Sequence, residues 1–172
     1  MELPKRKPTR LKNYDYSQNG YYFVTICTHN KNCIFCNIVG QGLAPAEIKL
    51  SAFGEIVNEE IADLENRYEN IRIDKYVIMP NHIHAIIAIQ NETAGASPCP
   101  TLSDIICTIK SLSARKCHLI NSKITIWQTS FHDHIIRGEN DYLKIWNYID
   151  TNPEKWEEDC FYIEKINPLQ FG

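Results

Sequence analysis

The order of secondary-structure signals predicts an α+β domain: a ferredoxin-like split βαβ sandwich with a central antiparallel sheet and one helix appended near the C-terminal end. Three observations carry that expectation. The signals run strand, helix, strand, strand, helix, strand before the last helix. Two of the helical segments carry an apolar stripe on one side only, as helices packed on a sheet do. Finally, the apolar run Lys75 to Ile89 is interrupted by Pro80 and Asn81, which makes two strands joined by a tight connection.

The chain has 172 residues, 44% of them apolar, enough for one domain that buries about 70% of its unfolded surface without disulfide or zinc. The first 19 residues hold Pro4, Pro8 and the cations Lys5, Arg6, Lys7 and Arg10, so they read as a basic arm (1–19). Tyr21 to Thr28 is a strand whose β-branched and aromatic content suits a central position. Asn30 to Leu50 is irregular, with room for a short hairpin. Ser51 to Tyr68 has helical period through Phe53, Ile56, Val57, Ile61 and Leu64. Ile71 to Met79 and His82 to Ile89 are the next strands, and Asn91 to Pro100 is an exposed loop.

Leu102 to Leu119 is the second amphipathic helix, with Thr101 or Ser103 near its cap. Phe131 to Arg137 is the fourth strand. The appended helix starts near Glu139 and runs to about Thr151, and Pro153 to Asp159 is expected to form a further short helix because Pro favours the first helical position.

Net charge is −3, which argues against a general duplex-DNA binder. Its distribution still offers phosphate contacts, from the arm and from Lys110, Arg115 and Lys116. No apolar run is long enough for a signal peptide or for the roughly 20 residues of a membrane span, so a cytoplasmic protein without a membrane partner is expected. Seven cysteines lie mostly in apolar segments and read as small reduced hydrophobes; Cys33 and Cys36 form a CxxC with no second pair at zinc-ribbon spacing.

Two places carry candidate chemistry. His82 and His84 alternate along a strand, so both imidazoles project to one side with Cα atoms about 6.6 Å apart. That suits two neutral ligands converging on one divalent ion, and equally suits two hydrogen-bonded, partly buried histidines. On the appended helix Lys144, Tyr148 and Asn152 recur every four residues and share one face. A tyrosine there is either a nucleophile toward a phosphodiester polarised by a metal or a packing residue, and Asn152 is either an oxygen ligand or a cap before Pro153.

MPNHIHAII, then IWQTSFHDHIIR, then YIDTNPEKW resemble, in that order, the IS200-like single-tyrosine transposases, most closely their REP-associated branch of HUH enzymes. The resemblance spans about Gly20 to Asp159 and bounds a catalytic domain at 20–160 with a tail at 161–172. It implies a metal-dependent single-stranded DNA endonuclease and strand transferase that acts beside a DNA hairpin through a covalent 5′-phosphotyrosine. Tyr148 matches the nucleophile, His82 and His84 the histidine pair, and Asn152 the polar residue that helps hold Mg²⁺ or Mn²⁺. Trp127, Gln128 and Arg137 match positions of support or DNA contact. His132 and His134 receive no ligand role. Relatives include monomers and strand-swapped homodimers, so either state is compatible with the resemblance. Two other readings stay open: a hairpin-binding module or regulator without cleavage, and a zinc-dependent phosphoester hydrolase built on the HxH strand.

Overall fold

A computed structural model describes residues 11, 14–40, 46–91 and 100–163. Strict alternation along the strands sorts side chains to two faces of one sheet, and both faces are covered. The strands are β1 (Gly20–Cys27), β2 (Cys36–Val39), β3 (Glu47–Leu50), β4 (Ile71–Ile78), β5 (His82–Ile89) and β6 (His132–Ile136). The helices are α1 (Ala52–Ala62), α2 (Leu64–Arg67), α3 (Leu102–Ile120) and α4 (Glu139–Thr151). The main sheet has the order β4-β5-β1-β6 with every neighbouring pair antiparallel, and β2 and β3 form a separate hairpin. This is an α+β fold with a central antiparallel sheet and flanking helices, consistent with a ferredoxin-like arrangement.

Every residue of β5 is buried. Ile83, Ala85, Ile87 and Ile89 join Tyr22, Val24 and Ile26 in a core completed by Val57 and Ile61 of α1 and Ile105, Ile106 and Ile109 of α3. On the other side Ile86 packs with Val77, Met79 and Ile136 against Ile149 of α4 and Trp156. The histidines of β5 therefore face α4, while α1 and α3 lie across the sheet from them.

α3 begins at a full capping box, in which Thr101 Oγ1 accepts from the Asp104 N–H and the Asp104 carboxylate accepts from the Thr101 N–H. Three details differ from the sequence expectation. The helix expected over Ser51 to Tyr68 divides at Asp63, whose carboxylate accepts from Asn66 and pairs with Arg67, tying a local turn that lets Leu64 reach the core. Leu119 is 86% exposed rather than part of the α3 stripe, because two residues beyond buried Cys117 is about 200° around the helix. The short helix expected from Pro153 reduces to a 3₁₀ turn over Trp156–Glu158, preceded by Lys155, whose N–H reaches back to the Thr151 and Asn152 carbonyls.

Lys5, Arg6, Lys7 and Arg10 of the basic arm lie outside the described residues, as do 92–99 and 164–172. No helix of the described residues is long and apolar enough to cross a membrane.

Candidate metal centre

β5 starts at the Pro80-Asn81 connection, so its first two inward positions on the α4 face are His82 and His84, exposed by 0% and 1%. Their Nε2 atoms stand 3.0 Å apart. The opposite ring nitrogens are held by neighbours. Asn81 donates through Nδ2 to the carbonyls of Lys31 and Phe161, which leaves its Oδ1 to accept from His82 Nδ1 at 2.9 Å. The Nε2 of His82 therefore carries its lone pair toward the site. His84 Nδ1 meets the Thr25 hydroxyl at 2.9 Å from the paired strand β1. Burial lowers the pKa of His82 to about 4, helped by the nearby charge of Lys31, and of His84 to about 3, helped by His82; Asp159 opposes both shifts without cancelling them, so both rings are neutral at pH 7. Neutral imidazoles are the form that binds a metal.

A third donor comes from a residue with no sequence signal. Asp159 lies beyond the 3₁₀ turn, and His82, His84 and Asp159 each offer a ligand atom within 4.8 Å of the others. Burial opposes the charge of Asp159, but hydrogen bonds from Asn152 Nδ2 at 2.6 Å and the Phe161 N–H at 2.7 Å hold its pKa below the usual carboxylate value. Asn152 is 3% exposed, and its Oδ1 is buried with no hydrogen-bond partner among the described residues. An oxygen so placed is costly unless something positive meets it. Two neutral imidazoles, a carboxylate and an orphaned amide oxygen thus fit a divalent cation, and this cluster can coordinate one.

The α4 helix brings Tyr148 to the same place. Its hydroxyl lies 3.1 Å from His84 Nε2 and donates to Asp159 Oδ2 at 3.2 Å. Burial, followed by the charge and hydrogen bond of Asp159, raises its pKa. α4 is fixed on the sheet by buried Ile149, by the Lys75–Asp150 ion pair, by Lys75 over the Trp146 ring and by the Tyr142 hydroxyl donating to Asp74 at 2.9 Å. Phe23 stacks on His84 at 5.2 Å and Phe161 lies on His82 at 4.6 Å, so aromatic rings shield both imidazoles from water. Phe161 is the first residue past the expected domain end at 160.

The structure thus brings together His82, His84, Tyr148 and Asn152, and adds Asp159, Asn81 and Thr25. Lys144, on the same helix row, is exposed. Trp127 is buried, donates to Ser113 Oγ at 2.9 Å and packs on Phe35, which makes it a core residue. The Lys110 ammonium donates to the carbonyls of Gln128, Thr129 and Ser130, and Lys116 pairs with Glu60 and Glu59. The backbone N–H of Gln128 donates to the Cys27 carbonyl. Arg115 and Arg137 are exposed, and His134 pairs with Asp141 rather than joining the His82 cluster.

No family model matches the chain. A protein of Haemophilus influenzae described as uncharacterized is 35% identical over 178 residues, covering 92% of this chain and 94% of its own length. Among solved structures, a REP-associated tyrosine transposase bound to a REP hairpin aligns over 86% of this chain and 73% of its own, with a TM-score of 0.60 and 20% identity. That similarity establishes a shared fold.

Proposed function

The chain belongs to one family with the Haemophilus influenzae protein, and we propose that this chain is a REP-associated, single-tyrosine HUH enzyme: a metal-dependent endonuclease and strand transferase for single-stranded DNA beside hairpins. The observation that carries this reading is the Tyr148 hydroxyl standing 3.1 Å from His84 Nε2, inside the ligand cluster of His82, His84 and Asp159. A packing tyrosine would not need to end on a metal-type donor set. The hairpin held by the solved relative of the same fold supports the substrate class.

His82, His84, Asp159 and Asn152 are the residues that would hold the ion. The oxygen donors that accompany the two imidazoles would suit Mg²⁺ or Mn²⁺. When bound, the ion supplies positive charge to the scissile phosphate and offsets the charge of Asp159 on the phenol.

Tyr148 is held for attack by its bonds to His84 and Asp159. Its oxygen forms a bond to phosphorus while the bond from phosphorus to the 3′ oxygen breaks. The phenolic proton passes to Asp159, and the departing oxygen takes up a proton from solvent water to become a 3′-hydroxyl. The 5′ phosphate stays on Tyr148 as a diester, so the reverse attack by another 3′-hydroxyl transfers the strand without an external energy source. Exposed Arg115 and Arg137, with Lys5, Arg6, Lys7 and Arg10, are the phosphate contacts proposed; the engaged ammonium groups of Lys110 and Lys116 serve the fold.

The test is a denaturing gel of the protein incubated with hairpin-bearing single-stranded DNA and Mn²⁺, with EDTA as control. A labelled fragment that migrates with the protein only in the presence of Mn²⁺ is expected. Binding that survives EDTA with no adduct under any metal would instead identify a hairpin-binding module.

A further inference from the structure

At the opposite end of α4 from the metal centre, a cavity of about 340 Å³ opens between the sheet and the first turn of the helix, lined by Tyr21, Ile136, Gly138, Glu139 and Tyr142. The Tyr21 and Tyr142 rings meet edge to face, with centroids 5.4 Å apart and planes at 77°. The Tyr142 ring is immobilised by its hydroxyl bond to Asp74 and by packing on Trp146. Tyr21 is 39% exposed. Gly138 has φ +91° and would place a Cβ within 4 Å of nothing, so the mouth is open there.

This corner is chemically selective. Two aromatic walls and Ile136 favour a flat, polarizable ring, and the volume suits one small planar ligand with its sugar. Glu139 sets the sign: a carboxylate in the wall repels a phosphate and accepts from an exocyclic amino group, as acidic side chains do from cytosine. Position adds the third element. Tyr21, Phe23 and Thr25 alternate on the α4 face of β1, with Phe23 stacked on His84 and Thr25 bonded to it. The four residue steps from Tyr21 to Thr25 span about 13 Å, a reach of roughly two nucleotides along an extended single strand.

We infer that the Tyr21–Tyr142 cavity is a nucleobase pocket, which takes one base of the single strand about two nucleotides from the phosphate at Tyr148 and so contributes to the choice of cleavage position. The inference rests on the nuclease reading for the identity of the strand. The pocket's chemistry stands on its own residues. Stacking on Tyr21 supplies affinity, Tyr142 closes one side, and Glu139 turns the backbone outward.

The experiment labels the tyrosine rings of the full chain with ¹³C and follows their correlation spectrum during titration with deoxycytidine 5′-monophosphate and, separately, 2-deoxyribose 5-phosphate, both in EDTA. Tyr21 and Tyr142 should shift with the nucleotide and stay still with the sugar phosphate. In parallel, affinity for a mixed-sequence single-stranded dodecamer should fall roughly tenfold in Tyr21→Ala and be retained in Tyr21→Phe, with unchanged thermal unfolding as the control for folding. Unmoved Tyr21 and Tyr142 signals, with parental dodecamer affinity in Tyr21→Ala, would overturn the pocket while leaving adduct formation at Tyr148 untouched. Base-dependent shifts at Tyr21 in a protein that never forms an adduct would keep the pocket and remove the nuclease reading.

Discussion

The two faces of the central sheet are built from the same strands by the same alternation, yet they do different work. Toward α1 and α3, β5 presents Ile83, Ala85, Ile87 and Ile89, all within 4% of complete burial, against aliphatic side chains. Toward α4 it presents His82, His84 and Ile86 against tyrosine, asparagine, aspartate and aromatic rings. Burial is equally deep on both. On the first face it stabilises by removing apolar surface from water; on the second it keeps two imidazoles neutral and an amide oxygen unpartnered, which opposes stability in the absence of a cation and favours binding one.

Substitutions on the two faces should separate these roles. His82→Ala and His84→Ala are expected to remove cleavage entirely and Mn²⁺ binding by calorimetry, while costing about 1–3 kcal/mol in urea unfolding. Unchanged Mn²⁺ affinity in both variants would break the comparison. Ile83→Ala, one residue away on the other face, should cost about 2–5 kcal/mol in the same unfolding experiment yet retain cleavage per folded molecule. Asn81→Ala leaves the ligands in place but releases the His82 tautomer, and should weaken Mn²⁺ about 10–100-fold.

The smallest effect is on pH. The folded-state pKa values of His82 and His84, about 4 and about 3, lie below the unfolded value near 6.5. Between these limits the unfolded chain binds protons that the folded chain does not, so stability in EDTA is full above about pH 6.5 and declines as pH falls toward 4. Carboxylates with lowered pKa, such as Asp104 and Asp141, act below their ordinary 3.8, which leaves this window to histidines. Urea midpoints from pH 7.5 to 4.5 should fall less steeply in a His82→Gln variant than in the parent.

How much of this was legible in sequence follows from periodicity. A strand's period of two placed both imidazoles on one side, and a helix's four-residue spacing placed Tyr148 and Asn152 together; both are local rules. Asp159 obeys neither. It follows Glu157 and Glu158 in a segment without period, and only the turn at Lys155 carries it back to the histidines. Asn81 read as a turn former, and the long-range bonds to Lys31 and Phe161 that aim its oxygen at His82 have no sequence signature. Trp127 matched a motif position of support or DNA contact, and its indole is spent on Ser113 in the core. Periodicity also left open that α4 folds over the histidine face, since its anchors, Lys75, Asp74 and Ile86, are far away in the chain.

The central claim is that Tyr148 is the nucleophile, and intact-protein mass spectrometry tests it most directly. Parent and Tyr148→Phe protein are exposed side by side to a hairpin-bearing single strand with Mn²⁺. The variant loses one oxygen and keeps the ring on Phe23 and His84, so its fold and DNA binding should persist. The parent should gain the mass of a 5′-phosphorylated fragment and the variant should gain nothing. A fragment mass on the Tyr148→Phe protein, or Mn²⁺-dependent cleavage at equal rates in both proteins with no adduct on either, would contradict the account.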